Sequence, residues 1–430
     1  LSTPRTLDDW LAHQLRLHPQ GIALGLERAV EVWRRLGAPA PARYVITVGG
    51  TNGKGSTVAM LTAMLRHAGL RVGSYTSPHL HRYNERVSLG GMAVDDAALI
   101  EAFARVEAAR EATPLTYFEF GTLAALDLFA RAGLDVAVLE VGLGGRLDAV
   151  NLIDADVAVI TTVDLDHQSW LGEDRDAIGR EKAGIARPGR PVVIGEAQPP
   201  AGLLQALEAC GACSERAGVA FEIVRRAAGW RWTHRDGTAL ELPALALAAP
   251  VQYANAAAAL AALHALERLP GQPWPGLLAR AAAGLAQATL PARLQILPGR
   301  PPVIVDVGHN PQAARALADW LDAEPGPPVQ AVYGALDDKD VAGVFAALGA
   351  RVAHWHLAGL DADTPRGRTA SDLREALASA LPAASGSVHA NVAQALGAAI
   401  AAAGSGGRVL AFGSFFVAAA VLEACSGAAR

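Results

Sequence analysis

The chain has 430 residues, 51% of them hydrophobic and 18% charged, enough apolar material for two packed domains and too much for a disordered polymer. Lys and Arg total 37 against 42 Asp and Glu, a net charge of −5, so no basic surplus exists for a nucleic-acid backbone. Three cysteines cannot frame a disulfide scaffold, and no run of about twenty uncharged apolar residues suits a membrane span. The opening segment LSTPRTLDDWLAHQLRLH lacks the basic cap and apolar core of an export signal, so a cytoplasmic protein is expected. From residue 44, short β-type runs alternate with Ala-rich helical ones: YVITV, a helix over about residues 56–67, then RVGSY. DVAVLEV from Asp135, DVAVIT from Asp156 and PVVIG from Pro191 are unbroken Val/Ile runs suited to strands buried on both faces. They predict a parallel α/β sheet.

Cys210 and Cys213, in ALEACGACSERAG, have redox-motif spacing without a Pro or Trp between them and read as cysteines at a helix end. The Trp-containing segment WRWTHRDGTALELP, from Trp230, predicts a hairpin at the sheet rim, followed by a long helix from about Tyr253. ILPGRPP, residues 296–302, then punctuates the chain before VIVDVG, VQAVYGA, RVAHWHL, SVHA and RVLAFGS. The domain boundary is expected there, between a domain over residues 1–297 and a smaller α/β domain over 298–430. No solenoid repeat or coiled-coil pattern is present, and a monomer is expected.

YVITV runs into GGTNGKGST, residues 49–57, and on into a helix. Strand, Gly-rich turn, Lys and helix start is the arrangement that holds polyphosphate, with backbone N–H groups around the anion and Lys54 as a point charge. Two departures from the general P-loop pattern stand out: Val48 occupies the place of the first Gly, and Gly55 follows the Lys. The hydroxyls come later, at Ser56 and Thr57. A Gly-rich structural turn is the alternative.

In this form the loop resembles the ATP loop of the Mur ligase superfamily, as carried by folylpolyglutamate synthases and dihydrofolate synthases. The resemblance extends in the same order through YTSPHLHRYNERV (75–87), TYFEFGTLAAL (116–126), LEVGLGGRLDAVN (139–151), DLDHQSWLG (164–172), GREKAGI (179–185), VDVGHNP (305–311) and FGS (412–414). It implies an N-terminal P-loop parallel-sheet ATPase domain and a smaller Rossmann-like C-terminal glutamate-ligase domain. It also implies a ligase, dependent on ATP and Mg²⁺, that adds L-glutamate to dihydropteroate and to reduced folates through an acyl phosphate. A synthase with only the polyglutamate activity is the first alternative. A peptidoglycan Mur ligase would not be expected to carry TSPHLHRYNER or TYFEFGT, and a P-loop switch or transport ATPase would lack the VDVGHNP loop.

The resemblance assigns ATP contacts to Gly50, Thr51, Asn52, Gly53, Lys54, Gly55, Ser56 and Thr57, and to Asn255, Arg293 and Asp306, with the two domains closing over the nucleotide. It assigns Ser77, Glu140, His167 and Ser56 to metal binding. Two of these have a physical reading of their own: Glu140 is a carboxylate on an apolar strand, where a partner is required, and His167 follows a strand end beside Asp164 and Asp166, where ligands collect but where a capping or packing His is equally at home. Lys182, which helical position alone would leave as a solvated lysine, is matched by a carbamylated lysine in the family, and with Lys54, His167 and Glu140 it makes up the implied catalytic set. Substrate contacts are implied for Ala23, Leu24, Gly25 and Leu26, for Pro78, His79 and Arg82, for Thr116, Tyr117, Phe118 and Glu119, and for Leu147, Asp148 and Ala149. His309, Asn310 and Ser414 are implied near the glutamate end, where turn chemistry is the alternative. One departure is Ala23, where bacterial bifunctional enzymes commonly carry Asp before LGL.

Overall fold

In a computed structural model, residues 4–247, 249–324 and 326–427 are described. The chain divides into two compact units, one up to Ala246 with Tyr253–Thr289, the other Leu247–Gln252 with the chain from Leu290 onward. Both are α/β.

The first unit holds an eight-stranded sheet: β1 (Ala42–Gly49), β2 (Val72–Tyr75), β3 (Val87–Leu89), β4 (Met92–Ala93), β5 (Leu134–Glu140), β6 (Val157–Ile160), β7 (Pro191–Ile194) and β8 (Cys213–Arg216). Their order is β4-β3-β2-β5-β1-β6-β7-β8, and all pair in parallel except β3 and β4 at one edge. The Val/Ile runs supply the middle strands, β5, β1 and β6, which are buried along most of their length because helices cover both faces. One core gathers Tyr75, Phe103, Phe120 and Phe129 under the helices Asp96–Arg110 and Tyr117–Ala132. Another gathers Ile160, Ile178, Ile194 and Leu203 under the helices Arg175–Ala183 and Ala201–Cys210.

Cys210 ends its helix as expected, but Cys213 opens edge strand β8, and all three cysteines are free thiols. The predicted hairpin is β10 (Gly229–His234) with β11 (Ala239–Leu242), and a further strand, β9 (Phe221–Arg226), completes a three-stranded antiparallel sheet. The long helix runs Gln252–Glu267. No helix among the described residues is long and apolar enough to cross a membrane.

The second unit carries β12 (Gln295–Leu297), β13 (Val303–Val305), β14 (Val329–Tyr333), β15 (Val352–Ala358), β16 (Gly386–His389) and β17 (Val409–Phe412), in the order β12-β13-β17-β14-β15-β16. Only β12 runs antiparallel, to β13. ILPGRPP therefore links two paired strands of this unit, and the division of the chain falls a few residues earlier, at Thr289 and Leu290. Tyr333, Phe345, Trp355 and Phe412 interlock at the centre, with ring centroids 4.8–6.3 Å apart.

Candidate active site

β1 ends at Gly49, and the chain turns through Gly50 at φ +140° and Gly53 at φ +89°. A Cβ on Gly50 would overlap the Thr161 hydroxyl, and one on Gly53 would overlap the Asn255 side chain, so both turns require glycine. The loop is latched to the segment after β6. Thr51 N–H donates to the Thr162 carbonyl at 2.7 Å, Asn52 N–H to the Thr162 hydroxyl at 3.1 Å, and Asp164 N–H to Thr51 Oγ1 at 3.0 Å. Gly53 is the N-cap of the helix Lys54–His67, so that helix begins inside the loop, where a helix start attracts an anion. Lys54 Nζ donates to the Gly50 and Thr51 carbonyls at 3.0 and 3.2 Å, which holds the ammonium against the loop. In the first turn with Gly55, Thr57 Oγ1 donates to the Gly53 carbonyl at 3.0 Å and is committed to the helix, while Ser56 is buried beside it.

Three further groups stand at the same end of the parallel strands. Glu140 is the last residue of β5, opposite Val48 of β1, and is buried; its Oε2 accepts the Ser77 N–H at 3.1 Å from the loop after β2. His167 takes a left-handed backbone, φ 51° and ψ 39°, at the start of the one-turn helix Gln168–Leu171, and its N–H donates to Asp166 Oδ1 at 2.9 Å. Lys182 is buried on the helix Arg175–Ala183. Burial first and the charge of Lys54 second push its amine down to about 7, against the pull of Asp166. Lys54, Lys182 and Asp166 thus share one electrostatic environment. A carboxylate and hydroxyls at the ends of neighbouring strands are oxygen donors that a hard cation such as Mg²⁺ accepts, with one imidazole at their edge.

The segments expected to contact the acceptor meet one another. Gly25, at φ +145°, donates its N–H to the Leu147 carbonyl at 3.4 Å, tying the Ala23–Leu26 segment to the loop of Leu147, Asp148 and Ala149. Partly buried Leu24 lies in that segment, and Leu26 is the N-cap of the helix Glu27–Arg35. Arg28 donates to the Ala23 carbonyl at 2.7 Å and pairs with Glu119 at 2.9 Å. Glu119 also accepts the Thr116 N–H at 2.7 Å, closing a capping box at the start of the helix Tyr117–Ala132. Asp148 is held by the N–H groups of Leu143 and Val150 at 2.8 and 3.0 Å, and burial raises its carboxyl to about 6.

An aromatic group joins the remaining loops. The Arg86 guanidinium lies 5.2 Å from the Tyr83 ring centre and 5.5 Å from that of Tyr117, and donates to His79 Nδ1 at 2.9 Å. Burial, with the Arg86 charge second, lowers the His79 imidazole to about 4. Phe118 sits 6.0 Å from Tyr75 and against Gly142. Arg82, three residues beyond partly buried His79 and four beyond exposed Pro78 in the same loop, pairs with Asp96 at 2.9 Å and is largely exposed. Arg86 and Arg28 are not singled out in the sequence, and Asp166 enters there only as a neighbour of His167. Only the RYNER and GLER strings and the acidic neighbour of His167 hinted at them, and Glu119, the partner of Arg28, lies far away along the chain.

In the second unit, Asp306 follows β13, and its carboxylate accepts the N–H groups of Leu294 at 2.8 Å and Gly308 at 2.6 Å. Burial raises this carboxyl, and the nearby Arg293 charge opposes the shift. Arg293 lies over the Phe415 ring at 5.5 Å, between Ala292 and Leu294, both at positive φ. His309 Nδ1 is 3.0 Å from the Val307 carbonyl, Asn310 caps the helix Pro311–Ala323, and the buried Ser414 hydroxyl accepts the Val417 N–H at 3.1 Å. The Gly413 N–H donates to the Gly308 carbonyl at 2.9 Å, so the VDVGHNP and FGS loops adjoin at the ends of neighbouring parallel strands.

Residues 48–194 match the Mur ligase middle domain, and residues 292–415 match the Mur ligase glutamate ligase domain. The dihydrofolate synthase/folylpolyglutamate synthase of Escherichia coli (strain K12) is 45% identical over 421 residues, 97% of this chain and 95% of that one. The solved structure of E. coli FolC in complex with DHPP and ADP has a TM-score of 0.90 at 43% identity, covering 99% of each chain. A bifunctional folylpolyglutamate synthase/dihydrofolate synthase with Mn, AMPPNP and L-glutamate bound has a TM-score of 0.88 at 43% identity, covering 98% of each. Sequence, fold and loop arrangement agree: the chain belongs to the Mur ligase family, among its dihydrofolate synthases/folylpolyglutamate synthases.

Proposed function

We propose that the chain joins L-glutamate to dihydropteroate, giving dihydrofolate, and then to reduced folates, using ATP for each bond. One observation carries the reading: the nucleotide loop, Glu140 and the Asp166–His167 pair stand at or just beyond the ends of β1, β5 and β6, and buried Lys182 feels the charges of Lys54 and Asp166. A carboxylate is a poor electrophile, so its oxygen first attacks the γ-phosphorus of ATP, and the bond to ADP breaks. The glutamate amine then attacks the acyl carbon, phosphate leaves, and the amine proton is released.

The chain's own groups serve these steps by position and charge. Backbone N–H groups of the loop's end and the helix start, Gly53 to Ser56, hold the phosphates, and Lys54 adds its charge beside them. Asn255, packed against Gly53, is the nucleotide-side contact of the long helix, and the family resemblance assigns Arg293 and Asp306 to the nucleotide as well. Ser56, Ser77, Glu140 and His167 would hold divalent cations, which offset the charge of the phosphates and the acceptor. Lys182 is assigned a carbamate, and its burial beside Lys54 supports that, because converting a cation to an anion removes a like-charge contact. The Ala23–Leu26, His79–Tyr83, Tyr117–Phe118 and Leu147–Ala149 groups offer the apolar and aromatic walls that a pterin with an aminobenzoate tail requires. His309, Asn310 and Ser414 are assigned to the glutamate end.

The test is phosphate release from ATP and Mg²⁺ with L-glutamate, comparing dihydropteroate, a reduced folate monoglutamate and no acceptor. Release with both acceptors, each giving a product heavier by one glutamate, is expected. Release with the folate alone would leave only the polyglutamate activity and make Ala23 the first residue to restore to Asp. Release without any acceptor would overturn the ligase reading.

A further inference from the structure

The small antiparallel sheet brings together side chains that the ligation does not use. Glu215 lies on β8, His234 ends β10, and His264 is on the helix Gln252–Glu267. One ligand-type atom from each lies within 4.8 Å of the other two. The imidazoles are nearly in contact, with ring centroids 4.2 Å apart, and both are deeply buried, at 2% and 6% side-chain exposure.

Asp236 binds both rings from one side. Its Oδ1 is 2.9 Å from His234 Nδ1 and its Oδ2 is 3.0 Å from His264 Nε2, while Arg268 pairs with the same carboxylate. The Asp236 N–H donates to His234 Nδ1 at 3.3 Å, and the carboxylate 2.9 Å from the same nitrogen becomes the acceptor of its proton once a cation takes Nε2. The opposite nitrogens, His234 Nε2 and His264 Nδ1, then present lone pairs. Both are buried without a hydrogen-bond partner, and so is Glu215 Oε2. His234 Nε2 to Glu215 Oε1, at 3.7 Å, is too long for a hydrogen bond. Three buried acceptors gathered in one place carry a desolvation cost that a cation removes.

We propose that Glu215, His234 and His264 bind one borderline divalent cation of the zinc type, with Asp236 as the carboxylate that orients both imidazoles. Two imidazoles and a carboxylate suit Zn²⁺ or Co²⁺, whereas Mg²⁺ prefers oxygen alone. A carboxylate receiving the outer N–H of a ligating His is the usual second layer of such sites. Trp232 closes one side, 6.0 Å from His234 and 5.9 Å from His264. The site joins an edge strand of the main sheet, the small sheet and the long helix, so its role is structural. His264 is nine residues along the helix from Asn255, roughly 14 Å, which separates it from the nucleotide loop. The other histidine group, in the second unit, is a useful contrast. There His354 engages Ser385 and Ser387, His356 engages Gln330 and His389, and His389 engages Ser387, so hydrogen bonds alone satisfy the network.

The full chain, stripped with a chelator and kept in excess Mg²⁺ and ADP, is titrated with Co²⁺ and followed by visible absorption. One equivalent with the intense bands of a four-coordinate nitrogen and oxygen site, displaced by Zn²⁺, is expected. Zn²⁺ also raises the unfolding midpoint. Glu215→Gln, nearly isosteric on a partly exposed strand, and His264→Gln abolish the bands, and Asp236→Asn weakens binding about 10- to 100-fold. Absence of the bands in the wild-type chain, or bands that persist in the Glu215→Gln and His264→Gln variants, overturns the proposal. This test does not depend on which acceptor the ligase uses.

Discussion

Lys182 has its amine buried on the helix Arg175–Ala183, within reach of the Lys54 charge, and the two effects lower it to about 7. A lysine in water stays protonated to above pH 10 and does not react with CO₂. Here about half the amines are neutral near pH 7, and a neutral amine can attack CO₂ and release a proton to give the carbamate. The sign follows: raising pH increases the neutral fraction and the carbamate, and lowering pH to about 5.5 protonates the amine and removes it. With ¹³C-labelled bicarbonate, a carbamate resonance is expected in the wild-type chain, growing from about pH 6 to 8 and missing in Lys182→Arg. A resonance that survives the substitution, or none in the wild type, would refute the modification. The identity of Lys182 was legible in GREKAGI only through family resemblance. Its physical reason, a buried ammonium beside a second one, becomes visible only when the helix and the loop are brought together.

At the scale of elements, the strands that read clearly are those buried on both faces: YVITV, DVAVLEV, DVAVIT and PVVIG all form the middle of the first sheet. Two of the strands that did not read are edge pieces. β8 has the sequence CSER and β9 has FEIVRR, both largely exposed, so neither carries the apolar signal that burial imposes. The nucleotide loop was legible because it is contiguous. The acceptor wall was legible as separate motifs, but its joints were not, since Arg28–Glu119 and Gly25–Leu147 span long stretches of chain. Glu119 shows what such a joint does. Its carboxylate caps the helix Tyr117–Ala132 and also holds Arg28, whose other contact fixes the Ala23 carbonyl. Glu119→Ala removes both interactions and leaves a partly buried guanidinium without its anion, a loss of about 3 kcal/mol in unfolding free energy. Glu119→Gln keeps a capping group but not the charge and falls between. Because Arg28 steadies the Ala23–Leu26 segment, KM for the pterin acceptor should rise about tenfold in Glu119→Ala, roughly 1.4 kcal/mol, while KM for ATP stays within about twofold. Denaturant unfolding and initial rates check both parts. A variant as stable as the wild type would mean that the pair contributes nothing.

At the scale of the molecule, each unit closes its own hydrophobic core. The first unit's aromatic core includes Phe103 and Phe120, and the second unit's includes Tyr333, Phe345, Trp355 and Phe412. Chains with separate cores depart from all-or-none unfolding, so calorimetry should show two component transitions, and two perturbations should tell them apart. A nucleotide bound at the Gly50–Thr57 loop stabilises the first unit by about 2.7 kcal/mol when its concentration is a hundred times its Kd, and Mg²⁺ with ADP should therefore raise one component. Trp355 is completely buried, with Tyr333, Phe345 and Phe412 around it. Trp355→Ala opens a cavity there, costs about 3–5 kcal/mol, and should lower the other component. The assignment then rests on the cross-pattern: the transition that the nucleotide raises most is not the one that Trp355→Ala lowers. If both perturbations displace a single transition whose calorimetric and van't Hoff enthalpies agree, the two cores unfold as one cooperative unit, and a stability change measured anywhere in the chain must be read as a change in the whole.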